Sequence, residues 1–189
     1  MGLKKLLLFV VILVIVTAGI FDSTFGDDDR DNEKHRTRYR ERHRDDRRGT
    51  SDLKPVTNPT YKDSCGACHF AYQPELLPSA SWKKILEGLD DHFGESFKLD
   101  GVTKNAISGY LGPNASEHSN SKVAVKIMKS LRRQVPMRIT EIPYIKDKHH
   151  RISAATLKRD SIGSVSNCVA CHRRAEEGMY DDDYVTIPD

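Results

Sequence analysis

The chain has 189 residues, room for one or two small domains. Its 30 lysines and arginines nearly balance 27 aspartates and glutamates, and a net charge of +3 excludes nucleic-acid binding by bulk charge. Hydrophobic residues make up 38%, and part of them lie in one N-terminal run, which argues against a large core built from side chains alone.

Residues 1–26 begin with Lys4 and Lys5, continue as an apolar run from Leu6 to Ile20, and leave through small residues. This is the pattern of a secretory signal, with Thr17-Ala18-Gly19 and Thr24-Phe25-Gly26 as plausible cleavage sites. The run is shorter than the roughly 20 residues a transmembrane helix needs, but its extension to Phe21 keeps an uncleaved N-terminal anchor open. The expected location is the periplasm, with membrane association only through this N-terminus. Residues 27–50 read as a charged, disordered linker. Of the 22 residues from 27 to 48, 17 are charged and none builds an apolar stripe, so ordering them would cost entropy without burial. His35 and His43 are solubilising there rather than metal-binding. Without these two segments, residues 49–189 carry 19 basic and 18 acidic side chains, so the folded part is close to neutral.

Leu53 to Pro59 reads as extended chain or loop. Two five-residue motifs then carry the chemistry: Cys65-Gly66-Ala67-Cys68-His69 and Cys168-Val169-Ala170-Cys171-His172. Two cysteines three apart on a turn reach the two vinyl groups of one haem, and the adjacent histidine points its imidazole at the iron from the same face. This is the c-type haem attachment pattern. Zinc ribbons separate their cysteine pairs by about 15–20 residues, whereas these pairs lie about 100 apart. Zinc also gives no reason for a histidine after both pairs. A thioredoxin-like site would want a nearby βαβ pattern, and a disulfide closing so small a loop would constrain little. Two covalently bound haem c groups also supply the apolar bulk that the composition lacks.

Between the motifs the chain reads as helical with irregular connections. Trp82, Ile85, Leu86, Leu89 and Phe93 recur at helical spacing, with Ser79 or Ser81 as cap and Gly94 as stop. Asp100 caps a second helix running to Leu111, with Val102, Ala106, Ile107, Tyr110 and Leu111 inward and Gly112-Pro113 ending it. A third helix spans about Ser121 to Arg133 on Val123, Ile127 and Leu131. No run alternates long enough for a strand.

The sixth position of each iron decides function: histidine or methionine there gives electron transfer, and an open position permits small-ligand chemistry. His92 lies on the apolar face beside Phe93 and is a candidate distal ligand. Of the pair His149 and His150, one is expected to face inward. His118 sits in a polar loop, Met128 and Met137 have basic neighbours, and Met179 follows the second motif too closely to reach the opposite face easily.

The segments CGACHFAYQPELLPSASW, HFGE with SFKLD, RITEIPYI and NCVACHRRAEEGMYDDDYVTIP together resemble the bacterial dihaem cytochrome c family across nearly the whole folded part. That resemblance implies a mostly α fold. An N-terminal part similar to a small class I cytochrome c (residues 51–115) would be followed by a less regular part wrapping the second haem (116–189). It also implies His–His coordination of both irons, with His92 as one distal ligand and His149 as the other, His150 being the fallback. The motif histidines His69 and His172 would be proximal, and Cys65, Cys68, Cys168 and Cys171 would form the thioethers. The family's role implies a low-potential, non-enzymatic electron carrier. Its redox partners would be a membrane cytochrome on one side and a small monohaem cytochrome on the other. Two imidazoles and an unchanging ligand set suit rapid electron transfer, since methionine ligation raises the potential. The alternative is a dihaem enzyme or sensor with one open or displaceable axial site. Trp82 is a candidate for stacking on a haem. Tyr61, Tyr72, Arg138 and Arg151 are candidates for propionate contacts, and Asp181 to Asp183 for a solvated turn or an acidic docking patch.

Overall fold

The computed structural model describes residues 52–189, which lie within the compact unit Arg48–Asp189. The expected signal or anchor (1–26) and linker (27–50) fall outside the described residues.

Helix α1 (Pro59–Cys65) starts where the extended stretch ends. Pro59 pre-sets the first turn, and the Asn58 side chain accepts from Tyr61 N at 2.8 Å. Gly66 closes the helix by donating its N–H to Lys62 O at 2.9 Å, and a Cβ at this position would lie 2.4 Å from that oxygen. Helix α2 (Ser79–Glu87) buries Trp82, Ile85 and Leu86 as the spacing predicts. It has no side-chain cap of its own. Glu117, distant in sequence, accepts from Ser79 N at 3.0 Å and takes the place of the expected serine cap. It also stops earlier than Phe93. Gly88 turns its N–H back onto Lys84 and Ile85, a 3-10 turn (Leu89–Asp91) follows, and Phe93 sits at φ 62.

Helix α3 (Gly101–Leu111) is capped by Asp100, whose carboxylate accepts from Val102 N and Thr103 N, both at 2.9 Å. Ile107 and Leu111 are buried, but Val102 is 81% exposed and Ala106 is also exposed. The reason is angular, since Val102 lies five residues before Ile107, about 140° around the helix from it. Helix α4 (Lys122–Leu131) is capped by Ser121 and buries Ala124, Ile127 and Leu131. Helix α5 (Pro143–His149) opens on another proline, α6 (Ala154–Leu157) is a single turn capped by Ser153, and α7 (Cys168–Cys171) is the turn of the second motif itself. Among the described residues there is no strand. Two isolated bridges pair His92 with Glu95 and His172 with Val185. No described helix is long and apolar enough to cross a membrane. The mostly α fold is as expected.

The core is one cluster. Helices α1 and α2 lie on α3, and α4 lies on α5 and on the 3-10 turns Pro74–Leu76 and Ser116–His118. Leu53, Tyr61, Leu77, Trp82, Ile107, Ile127 and Ile142 all belong to it, so residues on both sides of position 115 share it. Beyond Ile142 the buried apolar side chains are only Ile162 and Ala175. The last quarter of the chain therefore lacks the side-chain burial that would hold it together.

One tie brings that last quarter back to the start of the described chain. Leu53 N donates to Gly178 O at 2.9 Å, with Gly178 at φ 82. An added Cβ would meet Leu53 O at 2.1 Å. Gly178→Ala is expected to destabilise the protein by about 1–3 kcal/mol from left-handed strain alone, with more from the clash. Denaturant unfolding followed by circular dichroism checks this.

Candidate haem sites

The first motif begins on the last residue of α1, Cys65, and turns through Gly66 so that Cys68 and His69 stand exposed. His69 Nδ1 lies 2.9 Å from Phe70 O. A carbonyl only accepts, so Nδ1 carries the proton and the lone pair of Nε2 is left for a metal. His92 is in the loop after α2 rather than on the helix. A pair of backbone hydrogen bonds with Glu95 fixes it, at 2.7 and 3.3 Å. The His69 and His92 rings are stacked at 6.3 Å between centres, 25° from parallel. Phe93 lies against His92 at 4.8 Å, and the Arg138 guanidinium covers the Phe93 ring at 3.8 Å. Burial, then His69 and Arg138, push the His92 pKa down.

The second motif is α7, and His172 donates its N–H to Cys168 O at 2.8 Å. His149 ends α5. Its Nδ1 donates to Ile145 O at 2.7 Å, again leaving Nε2 for a metal. The His149 and His172 rings are 6.0 Å apart at 63°. His150 points elsewhere: it is exposed and its Nδ1 donates to Asp147 O. Burial first, then His149, lowers the His172 pKa, with Asp182 opposing. His172 Nδ1 is buried and has no hydrogen-bond partner. Both rings line a cavity of about 320 Å³, whose apolar wall includes Val123, Ile145, Leu157, Ile162 and Ile187.

Both pairs suit one ion each. A metal–imidazole nitrogen bond is about 2.0 Å long, so two imidazoles on opposite sides of one ion have ring centres about 6 Å apart once the half-width of each ring is added. The lowered pKa values of His92 and His172 keep them in the neutral form that ligates. The cysteines suit neither rival chemistry. Among the described residues no three of His, Cys, Asp or Glu converge on a point that would hold an ion. Burial pushes the Cys65 and Cys168 thiols up to about 11.

Residues 61–180 match the dihaem cytochrome c family. The chain belongs to that family. A dihaem cytochrome c carries two covalently bound haem c groups, and the apolar cavity and the shortage of side-chain core beyond Ile142 accord with this. A dihaem cytochrome c structure from Rhodobacter sphaeroides is 37% identical, with TM-score 0.60 over 68% of this chain and 100% of that one. A second structure, of DHC purified from the same organism, is 38% identical, with TM-score 0.53 over 67% of this chain and 99% of that one. The dihaem cytochrome c of Shewanella baltica OS155 is 33% identical, with TM-score 0.57 over 69% of this chain and 93% of that one. No curated protein matches.

The remaining candidates in this cytochrome have other positions. Met128 and Met137 pack on the core, with Ser116 donating to Met128 Sδ at 3.0 Å. Met179 donates its N–H to Arg174 O at 3.1 Å, and His118 is exposed. Trp82 is a core residue whose indole N–H donates to Pro74 O at 2.8 Å. Tyr61 is buried and donates to Tyr72 O, while Arg151 is exposed. Asp181 caps the last 3-10 turn, and Asp182 pairs with Lys148 at 3.8 Å. Sequence reasoning missed Gln73, Tyr180 and the C-terminal segment. Thr186 N donates to Cys171 O at 2.9 Å, Arg174 covers the Tyr184 ring at 4.9 Å, and Val185 and Ile187 wall the second cavity. A valine and an isoleucine near a chain end give no periodic signal.

That segment lines the second site. Removing residues 182–189 is expected to perturb the optical spectrum of one of the two haem groups and leave the other unchanged. An optical difference spectrum reads the fraction that responds.

Proposed function

We propose that this dihaem cytochrome is a single-electron carrier in which both irons have two histidine ligands. The observation that carries the reading is the pairing of each motif histidine with one further imidazole at about 6 Å, His69 with His92 and His172 with His149. Cys65 and Cys68 hold one haem by thioethers, and Cys168 and Cys171 hold the other. Each haem supplies one reversible electron at iron. The chain's residues keep the ligand set the same in both oxidation states. The Nδ1–H bonds of His69 and His149 to backbone carbonyls fix ring orientation and raise the donor strength of Nε2. Phe93 and Arg138 cover His92, and apolar side chains such as Ile145, Leu157 and Ile162 line the cavity at His149 and His172. An iron with six ligands has no position for a substrate, so the function is transfer and not catalysis.

The carrier is exported to the periplasm, where c-type haem attachment takes place, and its N-terminal run either serves as a cleaved signal or holds it at the membrane. Its partners are redox proteins, a membrane cytochrome on one side and a small monohaem cytochrome on the other.

Carbon monoxide tests the ligation. The dithionite-reduced holoprotein is expected to give sharp c-type bands that carbon monoxide leaves unchanged. A shift in about half of the haem would mean an open axial site and an enzyme or sensor instead. Substitution identifies the ligands individually. His92→Ala and His149→Ala are each expected to turn one haem of two into a high-spin, carbon monoxide-binding form. His150→Ala is expected to leave the spectrum as it is, and a change there of the size seen for His149→Ala would reverse the assignment.

A further inference from the structure

Gln73 is completely buried, four residues after His69. Burying an amide is costly unless its polar atoms are paired, and both of its ends are. Its Nε2 donates to Ala175 O at 2.5 Å, and its Oε1 accepts from Tyr180 OH at 2.7 Å. Ala175 lies three residues after His172, and the Tyr180 ring lies 5.3 Å from the His172 ring. The neighbour of Gln73 does the same on the other side. Tyr72 lies 5.0 Å from the His69 ring and donates to Ser166 O at 2.6 Å, two residues before Cys168. Leu76, three residues further along, walls the second cavity. A single stretch of chain leaving the first motif thus grips the second motif from both sides.

We propose that Gln73 is the positioning residue that couples the two haem sites: by bonding Ala175 and Tyr180 together it holds the His172 side in register with the His69 side, and the bridge Tyr72–Gln73–Tyr180 sets the rate at which an electron passes between them. This rests on the electron-carrier reading. The bridge serves the movement of one electron, which the donor iron loses and the acceptor iron gains. No bond forms or breaks, and the tyrosines are not oxidised. An apolar side chain of the same size would fill the space with less desolvation, but it would leave the Tyr180 hydroxyl unpaired, leave the Ala175 carbonyl only its bond from Gly178 N, and let the two motifs shift against each other.

The test uses the full haem-loaded chain, half reduced, with proton NMR exchange between the haem methyl signals reading the rate of transfer within one molecule. Gln73→Leu is expected to slow that rate roughly tenfold, as a small misplacement of reacting centres does, and to move the potential of the second haem while that of the first holds. The visible spectrum and the indifference to carbon monoxide are expected to persist. Tyr180→Phe keeps the ring against His172 and loses only the hydroxyl, so it is expected to slow transfer less, and it carries the test if Gln73→Leu does not fold. Asp100→Ala, which loses a helix cap away from both motifs, is expected to lower stability without changing the rate. An unchanged rate and potential in the bridge variants, or equal slowing in Asp100→Ala, would overturn the coupling role and leave the carrier reading standing. Carbon monoxide binding to the unsubstituted protein would overturn both.

Discussion

The separation of about one metal ion's width between two imidazoles, made twice, is what the rest of the fold serves. The motif histidines follow their cysteines and need little help. On the proposed ligation, the two distal histidines are brought in by the helical core. His92 is held by the loop that α2 feeds, and α2 is fastened by buried Trp82, whose indole bonds Pro74 O. His149 ends α5, which is fastened to α4 by buried Ile142 and by Tyr144 N donating to Ser130 Oγ at 3.2 Å. Loss of core packing in either helix would thus be felt at an iron before it was felt elsewhere, because ring separation tolerates little error.

On the proposed ligation the two sites are alike in ligands, and they are unlike in surroundings. His69 is exposed, and Phe93 beside His92 is 42% exposed. His149 and His172 face an apolar cavity that the C-terminal segment helps to close. Ferric haem carries one more positive charge than ferrous, so an enclosed apolar site favours the reduced form and raises the potential relative to an exposed one. The Arg138 guanidinium near His92 works the other way, because a cation also disfavours ferric iron there.

Local chemistry was legible in the sequence and tertiary displacement was not. The two cysteine–histidine turns, the Asp100 and Ser121 caps and the buried faces of α2 and α4 follow from short-range rules. The errors arose where distant chain intervened. Glu117 took over the cap of α2, Gly88 ended that helix before Phe93, and the rotation of α3 put Val102 in solvent. His149 and His150 differ in the direction of each ring, which depends on where α5 lies, and nothing within adjacent residues sets that. Gln73 was invisible for a related reason. A glutamine in a sequence reads as surface, and only the approach of Ala175 and Tyr180 from about 100 residues away makes it structural.

The spacing of the ligand pairs adds a constraint on how each site closes. His92 lies 23 residues after His69, and His149 lies 23 residues before His172. Loop-closure entropy depends on loop length and not on its direction, so the chain cost of bringing the two imidazoles together is the same at both sites. Any difference in how firmly the two distal bonds hold must then come from packing. At the first site the intervening chain contains α2, with Trp82, Ile85 and Leu86 in the core. At the second it contains only the single-turn helices α6 and α7 and one buried apolar side chain, Ile162. On the proposed ligation the second distal bond would therefore depend more on the haem itself, on the C-terminal segment and on the grip of Tyr72 and Gln73. That would place the weakest link of the ligand set at His149, on the side of the molecule that the core supports least.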